Sequence, residues 1–248
     1  MNESLLIIST SALYAFLGSI IPVIIWLWFW LKEDPHPNPR RILIATFLGG
    51  ALAVPIALIG EILAAKSAEA IGIFNETTFP FMLLFAWAGI EEFTKYKATS
   101  IIALHRPGFN EPIDAPIYLI TAALGFAAFE NTIFLFNAFQ EAPVLGLITG
   151  QLRFLGATLL HVTASGIVGV SIAYSFFHAE SRKRNVFGGL FTATLLHTLF
   201  NFFILKQENG NALQVFIGVW IAAIIFMLLL EKVKRIRPPY KFPRMRSS

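Results

Sequence analysis

Apolar runs separated by short polar stretches organise the chain. They lie near residues 5–31, 42–64, 79–104, 116–138, 152–177, 186–205 and 212–230. Each comes close to or exceeds the roughly 20 residues that carry an α-helix across a bilayer. The pattern predicts an all-α, polytopic membrane helical bundle with about seven transmembrane helices. The stretch PVLGLITGQ at 143–151 is too short to cross alone, so it either extends the fifth span or lies in the interface. The whole of 1–248 reads as one transmembrane domain, with a core over about 79–205 and a basic tail over 231–248.

Composition sharpens this picture. Of 248 residues 56% are hydrophobic and only 14% charged, with 25 Phe and a mean hydropathy of +0.68, well outside the range of a soluble domain. The first apolar run has no Lys or Arg before it and is too long for a signal-peptide core, so it is expected to stay as an anchor. There is no cysteine, which excludes disulfides, thiolate nucleophiles and Cys-type zinc sites.

Basic residues are retained on the cytoplasmic side during insertion. Lys32, Arg40, Arg41, Arg106 and the 182–184 cluster fall in alternate loops, and seven more Lys and Arg follow Glu231. An N-out/C-in arrangement of seven spans fits this distribution. The tail KVKRIRPPYKFPRMRSS is expected to meet anionic lipid head groups and not nucleic acid.

One segment breaks the apolar pattern. FAWAGIEEFTKYKATSII, residues 85–102, puts Glu91, Glu92 and Lys95 inside a span. Each charge near the bilayer centre costs roughly 2.5–3.5 kcal/mol on insertion scales, so the three must face protein or water. On a helix Lys95 is four residues from Glu91 and three from Glu92, within reach of both. Tyr96, Lys97 and Thr99 read as solvated positions on the cytoplasmic side.

Other spans carry polar residues at helical spacing. The fourth has Glu130 and Asn131 in GFAAFEN, the fifth has Arg153, His161 and Ser165, and the sixth has His197 and Asn201 in HTLFN. Counted from the predicted outer ends, Glu91, Glu130, His161 and His197 lie about 8–12 residues in, roughly 12–18 Å at the helical rise. They form one layer although their helices alternate in direction. A lone intramembrane His or Asn is often only an interhelical hydrogen-bond residue, and Ser165 in TASG reads as small-residue packing. Three Glu, two His, Lys95, Arg153 and two Asn together point to a functional site.

Inspection removes several chemistries. The only aspartates, Asp34 and Asp114, fall in predicted loops, so no intramembrane aspartyl dyad is available; neither His-Glu-x-x-His nor Gly-x-Ser-x-Gly occurs. Carboxylate and imidazole chemistry on a water molecule is left. In one version Glu91 is the general base, with His197 and Asn201 as oxyanion donors. In the other, Glu91, Glu130, His161 and His197 supply ligands to Zn²⁺ with a position open for water. Spacing does not choose between them. A ligand set spread over four helices needs rigid support, which inclines the reading toward Glu91 as base.

The motifs EEFTK, GFAAFEN, Arg153 with His161, and HTLFN resemble the four motifs of the PrsW intramembrane protease family over about residues 85–203. That family is related to the CAAX prenyl protease superfamily, and Glu130, standing where the CAAX enzymes have His, favours PrsW. The resemblance implies a bacterial plasma-membrane, multi-pass endopeptidase that cuts single-span membrane proteins, such as an anti-sigma factor in envelope-stress signalling. By that analogy Glu91 and Glu92 are catalytic, with Glu130, His161 and His197 as partners and a metal left open.

The competing function is a proton- or cation-coupled transporter, since buried carboxylates and His also build proton relays. Against it, the sequence shows no two-fold repeat and no paired Gly/Pro-broken spans.

Overall fold

A computed structural model describes residues 3–71, 79–206 and 212–238. The described residues are helical and contain no strand. The helices are α1 (Glu3–Leu31), α2 (Arg40–Ala70), α3 (Phe79–Ile102), α4 (Asp114–Glu141), α5 (Pro143–Leu152), α6 (Thr158–Ala173), α7 (Arg182–Leu205) and α8 (Ala212–Val233). A π-helical turn, Arg153–Ala157, joins α5 to α6 without a break, so PVLGLITGQ extends the fifth span, with Pro143 in its first turn.

Six of these segments are long and apolar enough to cross a membrane: α1, α2, α4, the continuous helix from Pro143 to Ala173, the segment ending in α7, and α8. The remaining long helix, α3, carries Glu91, Glu92, Lys95 and Lys97, and its 24 residues rise about 36 Å, enough to cross as well. With α3 counted, the described residues hold seven helices long enough to span.

Helix α4 is the axis of the bundle. Every residue from Ile113 to Ala128 is buried, a pattern possible only for a helix surrounded on all sides. Helix α2 packs on it through two glycines. A β-carbon on Gly50 would fall 1.9 Å from the Ala122 carbonyl oxygen, and one on Gly125 would fall 1.9 Å from that of Phe47. Small residues thus let the two backbones touch, the common device for helix association in lipid. The periphery stays apolar where it meets lipid, as at Leu52, Ile56 and Leu213.

At the end of the bundle where α1 meets α2, polar groups tie the loops down. Asp34 and Asp114, assigned to loops from sequence, are both buried, and Asp114 is the first residue of α4. Asn38 donates to both, at 2.9 and 2.8 Å, and the single hydroxyl proton of Tyr118 is shared between the Asn38 side-chain oxygen and the Gly108 carbonyl. Lys234, just past α8, reaches Glu33 and Glu231 at 2.6 Å. Burial opposes its charge, yet these two carboxylates outweigh that and raise its pKa.

Candidate active site

Helix α3 delivers Glu91, Glu92 and Lys95 to the bundle interior, where their exposures are 7%, 1% and 0%. The Lys95 ammonium donates to Glu92 Oε1 at 2.6 Å and to His161 Nδ1 at 2.8 Å, and lies 3.5 Å from Glu91 Oε2. It therefore serves both carboxylates, and it also sits over the Phe126 ring, 4.4 Å from the centroid. Glu92 is fully engaged. Its Oε1 also accepts from His197 Nδ1 at 3.0 Å, and its Oε2 accepts from Ser165 Oγ at 2.8 Å.

Helix α4 brings Glu130 and Asn131. Glu130 Oε2 accepts from Arg153 and from His161 Nε2, the latter at 3.0 Å. Arg153 also donates to Asn131, whose amide donates to Thr158 at 3.0 Å. The π-turn explains how Arg153 and His161 serve one carboxylate. Eight residues of regular α-helix rotate by about 800°, leaving two side chains about 80° apart, whereas absorbing one extra residue reduces the offset to about 20°.

These bonds fix the imidazole tautomers. His161 accepts at Nδ1 from Lys95, so its proton is on Nε2, facing Glu130. His197 carries its proton on Nδ1, facing Glu92, which leaves the Nε2 lone pair directed inward. The two rings meet edge to face, 5.1 Å between centroids. Between them lies Glu91 Oε2, 3.9 Å from His161 Nδ1 and 3.9 Å from His197 Nε2. That oxygen is buried and accepts no hydrogen bond. Ligand-type atoms of Glu91, His161 and His197 lie within 4.8 Å of one another.

The residues singled out in the sequence thus converge, with four differences in detail. Glu130 is engaged by Arg153 and His161 and stands outside the three-donor cluster, and Glu92 is not on the wall of the adjoining cavity. That cavity, of about 390 Å³, is lined by Glu91, Glu130, Arg153, His161, His197 and Asn201 within an apolar surround. Thr99 is buried and donates to the Lys95 carbonyl, so it is no solvated position. Ser165 is not mere packing, since it holds Glu92. Sequence reasoning missed Thr158 and, on the cavity wall, Glu61. The signal for Glu61 was present as a lone carboxylate within the apolar run ALIGEILAA.

The profile of the PrsW family intramembrane metalloproteases matches residues 38–229, which include every one of these side chains. The chain belongs to the PrsW family. It is similar to Protease PrsW of Geobacillus kaustophilus, 27% identical over 213 residues that cover 85% of this chain and 86% of that one. Protease PrsW of Clostridioides difficile is 27% identical over 225 residues, covering 89% and 90%. No solved structure matches the chain. PrsW membership and six helices long and apolar enough to cross a membrane support a multi-pass intramembrane protease, and nothing in the matches supports a transporter.

Proposed function

We propose that this protein is an endopeptidase that hydrolyses a peptide bond of a single-span membrane protein, at a centre where Glu91, His161 and His197 hold a divalent metal ion such as zinc. One observation carries the metal reading. Both imidazoles turn their protonated nitrogen onto a carboxylate, and His161 Nδ1 and His197 Nε2 each stand 3.9 Å from Glu91 Oε2; Lys95 donates to His161 Nδ1, so an ion held there would displace that ammonium. This carboxylate–histidine arrangement fixes tautomer and ring orientation around metals. It supplies the rigid support that a ligand set spread over several helices requires.

A bound ion would act as a Lewis acid and activate water for attack on the peptide carbonyl. Glu130 and Glu92 keep the ring protons on His161 Nε2 and His197 Nδ1. Arg153 holds Glu130, while Lys95 and Ser165 hold Glu92. In this reading the amide of Asn201, which lines the cavity one turn from His197, donates to the oxyanion. A second, metal-free reading draws support from Lys95, whose ammonium stands 2.8 Å from His161 Nδ1. There Lys95 is the permanent cation and Glu91 takes the proton of the attacking water.

The cavity reaches Leu84 near the start of α3 and Leu205 at the end of α7. With N-out/C-in topology this is the outer end, so the substrate segment enters from outside. The family resemblance adds kinship with the CAAX superfamily and an anti-sigma-type substrate, and the basic tail is suited to anionic lipid. The test is purified protein with a panel of single-span substrates, measured for bound metal and turnover. Wild type should cleave and Glu91→Ala should not. Stoichiometric zinc, lost with activity on chelation and restored on readdition, supports the metal centre. Full activity without metal, falling about 10²–10³-fold in Asn201→Ala, supports the metal-free form. Unchanged cleavage by Glu91→Ala overturns both.

A further inference from the structure

Glu61 stands apart from the other membrane-depth carboxylates. Glu91 pairs with Lys95, Glu92 with Lys95, His197 and Ser165, and Glu130 with Arg153 and His161. Among the described residues the half-buried Glu61 carboxylate has no hydrogen bond or ion pair; only its backbone carbonyl is engaged, by Trp87 Nε1 at 3.1 Å. An unpaired carboxylate at this depth is costly and marks a position where a cation or donor arrives from elsewhere.

Its location says what arrives. Glu61, Leu58 and Trp87 line the catalytic cavity and also a second cavity of about 490 Å³ between α2 and α3, which reaches Lys66 and Glu69 toward the end of α2. Glu61 thus stands where the two cavities meet. Trp87 lies one turn, about 6 Å, before Glu91 on α3, and its bond to the Glu61 carbonyl sets Glu61 at that level. An extended peptide advances about 3.3 Å per residue, so 6 Å corresponds to about two residues. The indole, held on the Glu61 backbone carbonyl and lining the same two cavities, offers a flat face to an aliphatic stem and its terminal cation.

We infer that Glu61 is a specificity residue that receives a Lys or Arg side chain of the substrate, about two residues from the scissile bond on its outer side. The inference rests on the protease reading above. The test uses purified protein and single-span substrates identical except for Lys, Leu or Glu at each of the four residues outside the cleaved bond, comparing kcat/KM. Wild type should prefer Lys over Leu at one position by roughly tenfold. Glu61→Gln should remove that ratio, Glu61→Asp should retain part of it, and Glu61→Lys should favour Glu over Lys at the same position. An unchanged Lys/Leu ratio in Glu61→Gln, or no preference in wild type, overturns the inference while leaving the protease intact. Cleavage of none of the substrates by wild type would overturn the protease reading instead.

Discussion

Replacing Lys95 by Met tests whether the buried network depends on one cation. The ammonium is fully buried and is the group that lies against Glu91, Glu92 and His161 together. Met matches the stem but leaves two carboxylates without their counter-charge. Removing one partner of a buried pair costs roughly 3–5 kcal/mol, a large share of a total stability of about 5–15 kcal/mol. Denaturant titration in mild detergent with chelator present, followed by far-UV circular dichroism, reads the loss. Glu92→Gln introduced into the Lys95→Met background should then cost little, because the uncompensated charge is removed with it, and the two changes should be non-additive by more than about 1 kcal/mol. In a metal-binding site, saturating zinc should restore part of the loss, about 2.7 kcal/mol at a hundredfold excess over Kd. A destabilisation below about 1 kcal/mol, or strict additivity, would refute the central place given to Lys95.

Two further outcomes follow from the same geometry. Ser165→Ala strips the donor from Glu92 Oε2 and should lower kcat with little change in KM, with a stability loss of about 1–3 kcal/mol; wild-type kcat in this variant would return Ser165 to a packing role. A reporter fused after residue 248 should be active in the cytoplasm, because basic residues cluster in the tail, and activity on the outer side would invert the assigned orientation.

The spans were legible because a bilayer imposes length and polarity so strongly that composition alone reveals them. The layer of Glu91, Glu130, His161 and His197 was legible for the same reason: polar groups at membrane depth must converge, and helical rise gives their depth. Partner identity within the layer was not. Ser165 has the same spacing from His161 as any packing residue, and only the approach of α6 to α3 turns its hydroxyl onto Glu92. Glu61 sits on α2, whose contact with the site runs through the cavity and Trp87 rather than through a motif. Adjacency on a helix turns Glu91 and Glu92 about 100° apart, but which of them meets the cavity depends on how α3 packs against α6 and α7. One consequently lines the cavity while the other is enclosed.

The spacing from Arg153 to His161 was the hardest to read, because eight residues of regular helix leave the two side chains about 80° apart. The π-turn resolves it, and a deletion tests that account. Leu155 lies within the turn and is 42% exposed on the bundle's surface, so its removal deletes no site contact. Deleting it should convert Arg153–Ala157 into regular α-helix. Seven residues then rotate by about 700°, which keeps Arg153 and His161 within about 20° of one face and preserves their shared hold on Glu130. The deletion variant should retain cleavage, whereas inserting one Ala after Gly156 should rotate Arg153 away and abolish it. Equal inactivation by deletion and insertion, in variants that fold as judged by circular dichroism, would mean that the turn does more than set the register between the two residues.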